Sequence, residues 1–189
     1  MRLTLKLFLA LMLFALPFTG AMADEYDDTV KIFKNAGESG NFFGNSYGYA
    51  LFPTIGKGGI GIGAAHGSGR VYEQGKYVGD TKMNQVSIGL QLGGQAYSQV
   101  VFFQDKRSFD EFTSGNFEFS ADANAVAITA GASASASTGG SSAGASGGKN
   151  DATTAGKYHK GMAVFTVAKG GLMYQAAIAG QKYKYTPKK

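Results

Sequence analysis

The chain has 189 residues, no cysteine and a formal net charge of +5. The lack of cysteine excludes disulfides, thiolate metal sites and cysteine nucleophiles, so the fold must rely on a hydrophobic core. The mild positive charge permits contact with an anionic lipid or polymer, but it does not require a nucleic-acid partner.

The first 23 residues have the pattern of a secretory signal peptide. Arg2 and Lys6 start it, an apolar run covers residues 7–18, and Ala21-Met22-Ala23 forms a small-x-small cleavage site. The apolar run is too short to span a bilayer comfortably, which disfavours an uncleaved anchor. We expect cleavage after Ala23 and export to the periplasm or the extracellular space. Association of the exported protein with the outer membrane is compatible with either destination. Residues 24–189 then form a single domain that is long enough for a real core.

Residues 24–36 predict a short amphipathic helix. Tyr26, Val30 and Phe33 recur at i, i+4 and i+7 on one face. Such a stripe either docks on the rest of the domain or lies in a membrane interface. The acidic start of the helix favours docking, because interfacial helices are usually rich in Lys and Arg.

A glycine-rich run over residues 56–70 is the most distinctive segment. Gly59, Gly61 and Gly63 alternate with isoleucines, which is the period of a strand and fits neither the dinucleotide-binding fingerprint nor the P-loop. We expect strands over residues 50–54 and 58–65, followed by a turn at His66–Gly69 and a second tight turn at Glu73–Lys76.

The remaining elements are also mostly strands. In residues 85–93, Val86, Ile88, Leu90 and Leu92 alternate with polar residues and glycines, which predicts a strand with its apolar side buried. Further strands are expected over 70–73, 96–104, 124–130, 162–168 and 172–180, the last two as a terminal hairpin, with a short helix near 106–113. Residues 131–156 are almost wholly Ala, Ser, Gly and Thr, which predicts a flexible loop. The fold class is mainly β: an antiparallel sheet, sandwich or barrel-like, of roughly eight to ten strands.

The sequence offers no constellation for catalysis. His66 and His159 are the two histidines, they are far apart, and a lone histidine in a turn is more often solvated than a ligand. The nucleophile-elbow pattern G-x-S-x-G is absent. We therefore expect no enzymatic activity, no metal site and no cofactor.

Basic and aromatic residues near the end of the chain suggest a different chemistry. Lysines near an anionic membrane contribute about 1 kcal/mol each, and tyrosines suit the interface. The candidate lipid-binding residues are Lys57, Lys157, Lys160, Lys182, Tyr183, Lys184 and Tyr185. The alternative is a charged tail that only aids solubility.

Four motifs follow one another along the chain: Tyr47–Pro53, Lys57–Gly63 followed by Gly67–Gly69, Ser87–Gln95, and Lys169–Leu172 followed by Gly180. Their order resembles that of the SYLF family, a lipid-binding module. The resemblance covers most of the chain after residue 23 and implies binding to acidic phospholipids, with no known catalytic residues. It also implies lipid contact through an N-terminal amphipathic helix and basic residues, although the acidic first half of helix 24–36 departs from a basic docking pattern.

Three functions remain open at this point. The first is a non-enzymatic domain of the bacterial cell envelope that binds acidic phospholipid or a membrane surface. The second is a small outer-membrane β-barrel, which the signal peptide and amphipathic strands favour and the non-aromatic chain end disfavours. The third is a structural or interaction protein whose loop 131–156 binds a partner. Protein partners, lipid identity and oligomeric state are unknown from the sequence.

Overall fold

A computed structural model describes residues 20–60, 62–88, 94–128, 157–169 and 178–189. Within these residues the helices are α1 (Gly20–Asn35), a 3₁₀ turn (Gly37–Asn41), α2 (Phe42–Asn45) and α3 (Lys106–Thr113). The strands are β1 (Gly48–Ile60), β2 (Ile62–Glu73), β3 (Lys76–Ile88), β4 (Gln95–Phe103), β5 (Asn116–Glu118), β6 (Val126–Ile128), β7 (Met162–Ala168) and β8 (Lys182–Pro187). The expected loop 131–156 and residues 1–19 lie outside the described part.

The eight described strands form one sheet in the order β5-β8-β3-β2-β1-β4-β7-β6. All neighbouring pairs are antiparallel except β6 and β7, which are parallel. The sheet, the N-terminal helix and the short helix over 106–113 confirm the predicted mainly-β class. Among the described residues, no helix has the length and apolar character needed to cross a membrane.

The glycine-rich run forms a hairpin rather than one strand. β1 continues to Ile60, and the chain reverses so that Gly59 faces Gly63 and Ile60 faces Ile62. Gly59 has a φ of +146°, which glycine adopts without strain. The expected turn at His66–Gly69 is wrong, because these residues lie inside β2. The turn at Glu73–Lys76 is confirmed, with positive φ at its two central residues.

The C-terminal segment forms a strand that the sequence pattern did not predict. β8 pairs with β3 from Gly79 opposite Pro187 to Asn84 opposite Lys182. Its period-2 alternation is short, which is why it was not recognised. The expected partner of β7, a strand over 172–180, falls mainly on residues 170–177, which lie outside the described residues.

The sheet curves around a main core on one face, which we call the concave face. Gln99 of β4 donates a hydrogen bond to Tyr183 Oη of β8 over 2.6 Å, although β1, β2 and β3 separate the two strands. In a flat sheet these strands would lie about 19 Å apart. The contact therefore requires strong curvature, and α3 closes this face with Phe109 and Phe112.

Bare glycines on β2 make room for the side chains of β1 inside the curve. A Cβ on Gly67 would lie 2.6 Å from Ile55 Cγ1, and a Cβ on Gly69 would lie 2.7 Å from the Phe52 ring. Glycine in a strand often marks such a close approach. The glycines thus serve the architecture of the concave face.

The opposite, convex face is covered over part of its width. Tyr26 and Phe33 of α1 are buried against Leu51 and Phe102, so the predicted stripe docks on the sheet. Phe42 of α2 stacks on Phe102 with ring centroids 5.4 Å apart. These helices cover the β1, β4 and β7 side, and they leave the β2, β3 and β8 side exposed to solvent.

Candidate functional site

The uncovered part of the convex face is an exposed surface with a consistent chemical pattern. Alternation along β2, β3 and β8 places every second side chain there. We call this surface the open face and define it by Ile62, Ala64, His66, Ser68, Lys82, Asn84, Val86, Lys182 and Lys184, all of them exposed. The row of Arg70, Asp80 and Thr186 follows at the end away from Val86, so one carboxylate borders the open face.

Strand register arranges the open face in rows. Lys82 lies opposite Ser68 on one side and Lys184 on the other. The next row joins Asn84 to His66 and Lys182, and His66 Nδ1 lies 2.7 Å from Asn84 Oδ1. The middle of the face is therefore basic and polar.

Two of the three lysines face each other directly. Cross-strand partners have Cβ atoms about 5 Å apart, and like charges in this position destabilise a sheet. Among the described residues, no carboxylate forms an ion pair with Lys82 or Lys184, whereas Lys182 Nζ lies 3.6 Å from Glu118 Oε2. An anion bound between Lys82 and Lys184 would relieve their repulsion.

Arg70 marks the border between the open face and α1. Its guanidinium carbon lies 4.2 Å from the centroid of the Tyr26 ring and 5.2 Å from that of Tyr77. Burial raises the pKa of Tyr26 to about 12, although the nearby Arg70 acts in the opposite direction. Arg70 is thus committed to fixing α1 on the sheet by cation–π contact.

The structure separates the predicted residues of the C-terminal strand. Lys182 and Lys184 lie on the open face, whereas Tyr183 and Tyr185 point to the concave side. Tyr183 is 2% exposed, and burial raises its pKa well above the ordinary value. Tyr185 is half-buried and donates to the carbonyl of Val78 over 3.0 Å. In this conformation Tyr183 has no surface to present to a lipid.

Lys57 also lies in the interior. It is 8% exposed, on the concave side of β1, opposite Ala65 and Gln95. Its position beside the glycine run suggested an accessible cation, but the strand alternation turns its side chain inward. Lys57 therefore does not join the lysines of the open face.

Lys157 and Lys160 lie elsewhere. Lys160 Nζ is 3.0 Å from Asp122 Oδ2, and His159 Nε2 is 3.3 Å from the same oxygen. Hydrogen bonds from Ser120, Lys160 and His159 hold the pKa of Asp122 well below its usual range. Lys160 has a φ of +51° at the turn into β7, and Lys157 is exposed.

The sequence reading missed Lys82, Ile62 and Val86 as members of the site. The alternation in residues 85–93 was recognised, but the prediction that Val86 faces the core is wrong. Val86 is 74% exposed, whereas Gln85 is 6% exposed and donates to the carbonyl of Ala179 over 2.9 Å. Gln85 and Lys57 make the interior polar at this end of the sheet, and Val86 faces outward.

Comparisons with known proteins match most of this chain. A family model described as "Ysc84: Las17-binding protein actin regulator" matches residues 84–185, which include Asn84, Val86, Lys182 and Lys184. The chain is also similar to beta cell expansion factor A of Aeromonas veronii, with 28% identity over 158 residues. That match covers 82% of this chain and 51% of the relative, so the chain spans about half the length of this relative.

Proposed function

This chain belongs to the Ysc84 family, which is the SYLF family that its motifs resemble, and we propose that it is a non-enzymatic domain that binds the anionic surface of a membrane of the bacterial cell envelope. The open face supplies the contact. The observation that carries the proposal is the pair Lys82 and Lys184, opposite each other on neighbouring strands without a carboxylate partner among the described residues.

The strength of such binding follows from the number of lysines. Each lysine close to an anionic surface contributes about 1 kcal/mol, so Lys82 and Lys184 together supply about 2 kcal/mol. Lys182 adds less, because Glu118 pairs with it. This is weak, reversible association. It is sensitive to salt, because the charges are exposed and the Debye length falls from about 10 Å at 0.1 M to 3 Å at 1 M salt.

The family description agrees with this proposal in kind. It names binding to Las17 and regulation of actin, which is a binding role. Lipid contact is the form of binding that the paired lysines favour, because phosphate groups match their charge.

Vesicle sedimentation tests the proposal. The protein is mixed with phosphatidylcholine vesicles that contain or lack phosphatidylglycerol, at low salt and at high salt. We expect binding to the anionic vesicles only, with loss of binding at high salt. Absence of binding to anionic vesicles at low salt would contradict the proposal.

Charge variants locate the contact. The double variant Lys82→Gln and Lys184→Gln removes about 2 kcal/mol, so we expect a vesicle partition coefficient about 30-fold lower. The matched control is Lys76→Gln with Lys189→Gln, which removes the same charge from two exposed lysines outside the open face. Equal losses in both double variants would show that net charge matters and the open face does not.

A further inference from the structure

Two large apolar side chains are exposed at the hairpin end of the open face. Ile62 is 65% exposed and Val86 is 74% exposed. Ala64 follows Ile62 on the same side of β2 and lies directly opposite Val86 of β3. It is also exposed. Polar residues occupy such positions on an ordinary solvent-facing sheet, so this end of the face has a composition that water does not explain.

The neighbouring strand leaves these side chains without cover. On the same side of the sheet, β1 contributes Gly56 and Gly58, opposite His66 and Ala64. A Cβ at either glycine would meet no atom of the described residues within 4 Å. Ile62 and Val86 therefore project from a bare surface that other atoms can approach closely.

The apolar end and the basic rows lie along the same strand. Four residues separate Lys82 from Val86, which corresponds to about 13 Å of strand. We propose, on the basis of the proposed function, that the hairpin end of the open face enters the membrane: Ile62 and Val86 reach the acyl boundary while the lysines stay among the headgroups.

The helix on the convex face sets the angle of approach. α1 lies on the same side of the sheet as the open face, and a helix with its side chains is about 10 Å across. A membrane cannot lie flat on the open face, because α1 would hold it away. A tilt towards the hairpin end lowers Val86 relative to Lys82 by part of the about 13 Å of strand between them, which is enough to reach the 5–10 Å depth of interfacial apolar contacts.

The charges agree with this orientation. Lys82, Lys182 and Lys184 carry long aliphatic stems that keep the ammonium groups in the headgroup layer while the strand beyond them descends. On α1 the exposed Asp28 pairs with Lys31 and Glu25 pairs with Lys169, so the helix offers an anionic surface no cluster of unpaired lysines. Attraction at Lys82 and Lys184 therefore turns the β2, β3 and β8 side towards the membrane.

A fluorescent label at the tip tests the insertion. The chain has no cysteine, so Val86→Cys offers a unique site for an environment-sensitive dye such as NBD. The matched control is Glu111→Cys on the exposed surface of α3, which packs on the concave side. With phosphatidylglycerol-containing vesicles, we expect a blue shift and a rise in emission for the dye at residue 86 and no change at residue 111.

An unlabelled variant gives an independent reading. Ile62→Thr with Val86→Thr keeps both positions β-branched and exposed, so the fold is retained. We expect affinity for anionic vesicles to fall about tenfold, while the salt dependence of the remaining binding is unchanged. Unchanged affinity of this double variant would overturn the insertion.

The outcomes separate this inference from the function on which it rests. If the labelled protein binds anionic vesicles but the dye at residue 86 stays in water, insertion is wrong and surface binding stands. If it binds no vesicle, the proposed function fails and the insertion with it. If the dye at residue 86 shifts without vesicles, increasingly with protein concentration, a second copy of the chain covers the tip and insertion is overturned.

Discussion

Substitution of Gly69 by alanine tests whether β1 packs as closely over β2 as the curvature requires. The new Cβ would lie 2.6 Å from the carbonyl oxygen of Leu51 and 2.7 Å from the buried ring of Phe52. Both neighbours are fixed, one by the sheet and one by the core, so β1 must shift. Overpacking of this kind costs about 1–3 kcal/mol. Alanine also reduces the conformational freedom of the unfolded chain, which stabilises the fold by about 0.4–1 kcal/mol. The free energy of unfolding should therefore fall by about 1–2 kcal/mol in total.

Gly56→Ala is the matched control for this variant. Gly56 lies in the same hairpin, and a Cβ there would meet nothing within 4 Å, so we expect unchanged or slightly higher stability. Urea unfolding followed by far-UV circular dichroism measures both. With an m-value of about 2 kcal/mol/M, the two midpoints should differ by about 1 M. Coincident midpoints would refute close packing on the concave face.

Three further predictions concern the helix, the tyrosines and the Asp122 cluster. Phe33→Ala should lower the free energy of unfolding by about 3–5 kcal/mol, because Phe33 is fully buried on the side of α1 that packs on the sheet. Denaturant unfolding measures this loss, and a loss below 1 kcal/mol would contradict the docking of α1. Burial raises the pKa values of Tyr26 and Tyr49 to about 12, whereas a tyrosine in the unfolded chain has a pKa of about 10. The two neutral hydroxyls therefore stabilise the fold fully below pH 10, and this stabilisation is lost as the pH rises to 12. The midpoint temperature of thermal unfolding should fall between pH 10 and 12, and a constant midpoint would refute the raised pKa values. Lys160→Asn removes a hydrogen bond to Asp122, and asparagine tolerates the positive φ at this position. The lowered pKa of Asp122 should therefore rise in this variant, which NMR titration of the carboxyl group measures. An unchanged pKa would exclude Lys160 as a cause of the lowering.

Periodic signals predicted those elements whose buried side is apolar. Tyr26, Val30 and Phe33 lie on the docked side of α1 because a stripe at helical spacing has one apolar side to bury. The run of apolar residues in β4 is buried on both sides, as expected for a strand between β1 and β7 with packing above and below. In these elements the apolar side chains are the buried ones, so the sequence pattern is sufficient to predict which side faces the core.

Alternation alone cannot say which side of a strand is buried when the interior is polar. At the hairpin end, Gln85 and Lys57 point inward, and Gln99, Gln181 and Tyr183 form a buried hydrogen-bonded network farther along the concave face. Hydrogen bonds satisfy these groups and make their burial acceptable. Val86 then faces outward while Met83 of the same strand stays in the core, so the alternation in residues 85–93 predicts the wrong side for Val86.

The position of the open face follows from what α1 and α2 cover. Their aromatic side chains pack on Leu51, Phe102 and Phe165, so displacing the helices would expose a hydrophobic surface and lose the core of the convex side. In this conformation α1 gives its apolar stripe to the sheet and leaves its acidic residues outside, so it has no apolar side for a lipid. Among the described residues, the strands that the helices leave bare are therefore the surface on which lysines and exposed apolar side chains lie side by side, and the proposed membrane contact uses them.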